Sequence, residues 1–320
     1  MARPLIAVTD SVFPSLDPAM AALKRIDPEL RMAKSISPDD ILAVAREADG
    51  VLVTYAKLSG DLLRQLKRCK VIGRFGLGVD NIDIPVATEC GITVTYVPDY
   101  CMHEVSDHAM ALLLALARKI PFSDRLVQAG RWEMPAVVPI RRLAGRTLGL
   151  VGFGNIPRAL APKAKAFGLR VVTHDPYVSR DVLAAAGVEG VSFDELLATS
   201  DYVSIHAPLL PATRGLFNAQ AFAKMKKGAL LVNTARGPLI DEAALVAALD
   251  AGQVGGAALD VVTTEPLAND SPLKGRENVI LTPHTGFYSV EALEELQTKC
   301  ASDVARVLSG EKPVYPVKPA

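Results

Sequence analysis

Short apolar runs alternate along this chain with stretches in which apolar residues return every three or four positions. An uncharged apolar run of a few residues predicts a strand buried on both faces of a parallel sheet, and the longer spacing predicts an amphipathic helix. Leu5 to Thr9 is the first such strand, followed by a helix over Asp17 to Arg25, a helix from Pro38 or Asp39 capped by Ser37, a strand at Val51 to Thr54, a helix beginning near Ser59 and a strand at Val71-Ile72. Later strands are expected at Thr147 to Phe153, Arg170 to Thr173, Val203 to His206, Ala229 to Asn233, Ala257 to Val261 and Val279 to Leu281, and a final helix at Val290 to Leu308. Strand and helix alternating at this interval predict parallel sheets with helices on both faces. Between the two series the pattern changes. After Pro98-Asp99-Tyr100, Glu104 to Lys119 reads as one long helix that Pro121 should end, and the stretch through Trp132 and Pro139 is rich in turn residues. The helix face Met110, Leu113, Leu114, Leu116 is apolar enough to be deep core or a subunit interface.

Composition narrows the field. At 320 residues the chain has length for two domains, half of it is apolar, and 35 basic residues balance 35 acidic ones. No basic cluster exceeds pairs such as Arg141-Arg142 and Lys226-Lys227, so no nucleic-acid partner is expected. The apolar run Ala109 to Ala117 is too short to span a bilayer, and the start MARPLIAVTD lacks a signal-peptide pattern; no membrane partner and a cytoplasmic location are expected. Cys69, Cys90, Cys101 and Cys300 are scattered, as reduced thiols are, and no cluster has metal-ligand spacing.

The most informative stretch is RTLGLVGFGNIPRALAPKAKAFGLRVVTHDP, from Arg146 to Pro176. An apolar strand runs into Gly152-Phe153-Gly154, a helix follows over Ile156 to Phe167, and a second strand ends at Asp175. Gly152 lets the chain turn, Gly154 lets backbone approach a pyrophosphate, and the helix start offers N–H groups and the positive end of a dipole. Asp175, about 20 residues on, can accept hydrogen bonds from a ribose 2′-hydroxyl and would repel a 2′-phosphate, which favours NAD over NADP. Pro157 stands where this fingerprint wants a third glycine; a first helical turn tolerates it, at some loss of packing closeness.

Chemistry gathers at three later strand ends: Asn233-Thr234-Ala235-Arg236-Gly237, Asp260 to Glu265-Pro266, and Thr282-Pro283-His284-Thr285-Gly286. An arginine binds a carboxylate through two parallel hydrogen bonds, a histidine moves a proton near neutral pH, and a glutamate beside it fixes its tautomer. Taken singly, Arg236 reads equally as a surface ion pair, Glu265 as a turn residue before proline and His284 as a loop histidine. Upstream, the glycine-rich loop from Gly73 to Asn81 either presents N–H groups to an anion or simply turns the chain.

Together the strings VNTARG, LIDEAALVAALDAGQVGGAALDV, TEP, NVILTPHTGFYS, VDNIDIPVATECGI and RTLGLVGFGNI resemble the D-isomer-specific 2-hydroxyacid dehydrogenase family over nearly the whole chain. AKAFG, HDPY and VPDYC are most similar to the branch with C-terminal-binding-protein dehydrogenase domains, and the phosphoglycerate dehydrogenases are also close. The resemblance implies a Rossmann NAD-binding domain, 101-286, inserted in a flavodoxin-like substrate domain, 1-100 and 287-320. It implies Arg236 as substrate-binding arginine, Glu265 as the acid supporting the base and His284 as proton donor and acceptor. Gly152, Gly154, Asn155, Ile156, Asp175, Ala207, Thr234, Ala235 and Asp260, with Arg236 and His284, would line the cofactor, with Asp260 near the nicotinamide amide. Arg74 and the Gly76-Leu77-Gly78 loop, with Arg236, would hold the substrate. The implied activity is hydride transfer between NAD(H) and C2 of a small 2-hydroxy or 2-oxo acid, and the implied alternative is an NAD(H)-sensing binding protein of the corepressor type. A homodimer is expected, joined through the apolar helix face above.

Overall fold

Apolar runs become strands here because neighbouring layers cover both of their faces. A computed structural model of the chain describes residues 3–318, and these divide between Tyr100 and Cys101 and between Tyr288 and Ser289 into two compact units.

The first unit carries β1 (Leu5–Val8), α1 (Asp17–Leu23), β2 (Glu29–Met32), α2 (Pro38–Ala45), β3 (Gly50–Val53), α3 (Gly60–Leu63), β4 (Val71–Arg74), α4 (Ile84–Glu89) and β5 (Thr93–Thr95). The strands form a parallel sheet in the order β2-β1-β3-β4-β5, the flavodoxin-like order. The expected cap is present: Ser37 accepts from the Asp40 N–H at 3.2 Å. β3 and β4 are buried throughout. Edge strand β2 is mostly exposed and has no apolar run, so periodicity could not announce it.

The second unit carries α5 (Met102–Ala117), α6 (Ile120–Gln128), β6 (Thr147–Val151), α7 (Asn155–Ala166), β7 (Arg170–His174), α8 (Arg180–Ala185), β8 (Glu189–Gly190), α9 (Phe193–Thr199), β9 (Tyr202–Ile205), α10 (Ala219–Lys224), β10 (Ala229–Asn233), α11 (Glu242–Asp250), β11 (Val254–Leu259) and β12 (Val279–Leu281). Its parallel sheet runs β12-β11-β10-β9-β6-β7-β8, the doubly wound Rossmann order with one more strand at the far edge. The order reverses between β6 and β9, the position at which open parallel sheets bind ligands. In the first unit α12 (Val290–Leu308) packs on α1 and β4, and Gly73 allows the approach: a Cβ there would lie 2.6 Å from Val304 and 2.9 Å from the Cys300 sulfur.

Two expectations change. Pro121 does not merely end the long helix: α5 stops at Ala117, Lys119 turns the chain at φ 54°, and Pro121 sits in the first turn of α6. Proline lacks the N–H that a first turn leaves unpaired anyway, so it opens helices as readily as it closes them. Nor is the α5 face left for a second subunit. Met110, Leu113 and Leu116 are buried in one core with Leu148, Leu150, Leu160, Val232 and Ala258 of their own unit, and Leu114 packs against it.

Candidate active site

At the end of β6, Gly152 has φ 95°, a region side chains resist, and a Cβ would lie 3.1 Å from the backbone of His206 and of Ala207. Gly152 is therefore glycine for the fold. Gly154 is not: it caps α7 at φ −76°, open to any residue, and a Cβ there would meet no atom of the described residues within 4 Å. Its missing side chain instead leaves the N–H groups of Asn155 and Ile156, which a helix start cannot pair internally, open to close approach. Pro157 is buried as the third residue of α7. Asp175 is half-buried and braces this turn. Its Oδ2 accepts from the Phe153 N–H at 2.7 Å and its Oδ1 from the Tyr177 N–H at 2.9 Å. Each oxygen has a second lone pair for a hydroxyl donor. Across the switch point, Ala207 is buried at the end of β9. Beside it His206 contacts the Ser204 hydroxyl at 2.8 Å, and burial pushes its imidazole down to about 3.

The chemistry-bearing loops are braced one against another. Asn233, fully buried at the end of β10, accepts from the Ala235 N–H at 3.0 Å and donates through Nδ2 to the Arg236 carbonyl at 2.9 Å. Arg236 Nη1 donates to the Ala235 carbonyl at 2.7 Å. The Thr234 hydroxyl is buried with no hydrogen-bond partner among the described residues, an arrangement that suits a donor or acceptor on a bound ligand. Gly237 lies so close to the next loop that a Cβ would stand 2.0 Å from Val262 C and 2.4 Å from Thr263 N. That loop is held by Glu242, which accepts from the Thr263 N–H at 2.5 Å, and by Glu265 itself, whose Oε1 accepts from the Val262 N–H at 3.2 Å.

Glu265 Oε2 then meets His284 Nδ1 at 2.7 Å. A carboxylate accepts only, so Nδ1 carries the proton in this contact, and Nε2 is the nitrogen oriented for proton exchange. His284 has φ 54°, and its N–H donates to the Asp260 carbonyl at 2.8 Å and the Thr282 carbonyl at 3.0 Å. The acid, the base and the arginine's loop are thus brought together.

Asp260 is 3 % exposed. Its Oδ1 accepts from the Thr282 hydroxyl at 2.6 Å and the Thr285 N–H at 3.0 Å, and its Oδ2 from the Gly286 N–H at 2.9 Å. His108 on α5 completes the cluster, with Nε2 3.0 Å from the Thr282 hydroxyl and 3.3 Å from Asp260 Oδ1. Burial would raise the Asp260 carboxyl, yet the bonds from His108, Thr282, Gly286 and Thr285 hold it below the usual carboxylate range. Sequence reasoning named Asp260 for a cofactor contact and placed Thr282, Thr285, Gly286 and Asn233 at polar strand ends, but it assigned none of them a bonding role, and it missed Glu242.

In the first unit, Arg74 is 8 % exposed and its Nη1 donates to the Phe75 carbonyl at 2.9 Å. It occupies the space where a Cβ on Gly76 would stand, and Gly76 has φ 144°. The Gly76 carbonyl accepts from the Val97 N–H at 2.9 Å, and Leu77 is partly exposed. Among the described residues no helix is long and apolar enough to cross a membrane.

A parallel sheet with a glycine-rich turn at its switch point, an acid just past the next strand and a braced Glu–His pair is the arrangement of a Rossmann nucleotide-binding unit. Comparison with known proteins specifies it. Residues 110–286 match the model of the D-isomer specific 2-hydroxyacid dehydrogenase, NAD binding domain. The chain is 46% identical over 244 residues to D-3-phosphoglycerate dehydrogenase 2, chloroplastic, of Arabidopsis thaliana, covering 76% of this chain and 39% of that one. It is 42% identical over 254 residues to D-3-phosphoglycerate dehydrogenase of Archaeoglobus fulgidus, covering 79% and 48%. The crystal structure of D-lactate dehydrogenase from Aquifex aeolicus, complexed with NAD and lactic acid, superposes with a TM-score of 0.88 at 29% identity, over 98% of this chain and all of that one. The chain belongs to the D-isomer-specific 2-hydroxyacid dehydrogenase family, on its phosphoglycerate dehydrogenase side, and its match spans less than half the length of either of these phosphoglycerate dehydrogenases.

Proposed function

We propose that the protein is an NAD-dependent D-2-hydroxyacid dehydrogenase, acting in the reverse direction as a 2-oxoacid reductase. The observation that carries this reading is the 2.7 Å contact of His284 Nδ1 with Glu265 Oε2, on loops that backbone bonds hold in place. NAD(H), when bound, supplies or accepts the hydride at C2. Gly154, Asn155 and Ile156 suit its pyrophosphate, Asp175 its ribose hydroxyls, and Ala207, Thr234 and Ala235 the remainder of its length, with Thr234 contributing the hydroxyl that lacks a partner among the described residues.

In reduction, His284 Nε2 donates a proton to the carbonyl oxygen, and Glu265 stabilises the ring while it is charged. In oxidation the same nitrogen accepts the proton of the hydroxyl. Arg236 binds the substrate carboxylate through its planar guanidinium, with Arg74 and the Gly76-Leu77-Gly78 backbone as further substrate-binding groups. The domain boundaries proposed for these roles are 1-100 with 287-320 and 101-286. A cytoplasmic location and a homodimer complete the reading. The free cysteines are in keeping with a reducing compartment. In place of the buried α5 face, a run of exposed apolar residues supports the dimer, namely Ile120, Val127, Trp132, Met134 and Val138.

The test is a panel of glyoxylate, hydroxypyruvate, pyruvate, bulky 2-oxo acids and phosphohydroxypyruvate, each with NADH and with NADPH. Turnover with at least one acid, faster with NADH, is expected. NADH binding without turnover of any acid would favour the sensing alternative, and equal efficiency with NADPH would remove Asp175 from its ribose role.

A further inference from the structure

We propose that His108, on α5, is a positioning residue that holds the 282–286 loop and so fixes the backbone from which His284 acts; this rests on the dehydrogenase reading for its consequence but not for its geometry. Asp260 is ionised and can only accept, so the Thr282 hydroxyl donates its single proton to Asp260 Oδ1 at 2.6 Å. Toward His108 the same hydroxyl must then accept, and the partner nitrogen at 3.0 Å is an Nε2–H donor. A directed chain results, from His108 Nε2–H to the Thr282 oxygen and from the Thr282 proton to Asp260.

Asp260 in turn gathers the loop on both sides of His284. Its carbonyl accepts the His284 N–H, and its carboxylate accepts the N–H groups of Thr285 and Gly286. His284 needs that hold because a non-glycine residue at φ 54° is strained, and such a conformation persists where surrounding bonds over-determine it. Gly286 shows how tightly the brace closes. A Cβ there would lie 2.8 Å from Asp260 Oδ2 and 3.2 Å from His108 Cδ2, so only glycine lets carboxylate and imidazole both reach the loop. Ring packing and hydrogen bond thus act together, from a helix whose apolar face packs in the core.

Amide hydrogen exchange on the chain without cofactor, paired with steady-state kinetics, tests this. In His108→Leu the amides of Thr285 and Gly286 should exchange about tenfold faster than in the wild type, as expected for loss of one part-buried hydrogen bond, while amides of β6 stay unchanged. The value of kcat with a 2-oxo acid should fall by a similar factor with the NADH KM within about twofold. His108→Gln, whose amide nitrogen reaches the Nε2 position, should restore both. Unchanged exchange at Thr285 and Gly286 in His108→Leu, or a His108→Gln variant no better than His108→Leu, overturns the proposal. If His108→Leu loosens the whole unit, Thr282→Val decides: local acceleration at the same two amides supports the brace, and unchanged or global exchange refutes it. Absence of turnover in the wild type would sink the dehydrogenase reading while leaving the exchange result to judge the brace.

Discussion

The two glycines of the turn after β6 are expected to fail in opposite ways when each is given a methyl group. At Gly152 the backbone is at φ 95° and the added Cβ would stand 3.1 Å from the backbone of His206 and Ala207. A left-handed conformation costs a side chain about 1–2 kcal/mol, and the tight contact adds to it, so Gly152→Ala should lose roughly 2 kcal/mol or more of stability. For a unit of this size that lowers Tm by about 4–8 °C. At Gly154, φ is −76° and a Cβ would meet no atom of the described residues within 4 Å. Reduced chain entropy in the unfolded state would stabilise Gly154→Ala by about 0.4–1 kcal/mol, and the poorer helix cap offsets part of that, leaving Tm nearly unchanged. The methyl would instead stand between a pyrophosphate and the helix N–H groups. Losing one charge-assisted hydrogen bond is worth about 1.5–3 kcal/mol, which weakens NADH roughly 10- to 100-fold. Thermal unfolding and NADH fluorescence titration on both variants make the comparison. A Gly154→Ala protein with wild-type Tm and wild-type NADH affinity would refute the placement of the cofactor at α7.

Two further outcomes follow from the core and from burial. Leu113→Asp puts a carboxylate at a position 1 % exposed, so it should destabilise the nucleotide unit by at least about 3 kcal/mol rather than release folded subunits; a soluble variant with wild-type urea midpoint would contradict this. His206 is held neutral by burial, with a pKa near 3 against an ordinary 6.5. The unfolded chain therefore takes up a proton that the folded one refuses, and stability, fully present above pH 6.5, should fall by about 1.4 kcal/mol per unit as pH drops from 6.5 toward 4.5. Urea titrations across that window should show a flatter slope in His206→Asn, and equal slopes would remove His206 as the cause.

The two parallel sheets were legible because most of their strands are short uncharged runs, and central Ala229–Asn233 and even edge Val279–Leu281 match their strands residue for residue. Edge strand β2 and helix α6 were not: the first is largely exposed and has no apolar run, and the second opens on Pro121, which reads as the end of the preceding helix. At the site, reading Arg236, Glu265 and His284 off three strand ends depended on residue chemistry and on resemblance. What the sequence hides is the bracing. Glu242, Thr282 and His108 act through hydrogen bonds to groups 21 to 174 positions away along the chain, and no local spacing encodes contacts of that range. The α5 face shows the converse error. An apolar stripe states that a surface is covered, and only the fold states that Leu148, Leu160 and Val232 cover it.

The central claim is that His284 moves the proton while the nucleotide unit binds cofactor without its help. Single-turnover oxidation of NADH by a 2-oxo acid found active in the panel, in wild type and His284→Ala, measures it most directly. Loss of a general acid predicts a rate lower by about 10²- to 10⁴-fold with an NADH Kd within about threefold of wild type. A variant that oxidises NADH at a rate comparable to the wild type would contradict the account.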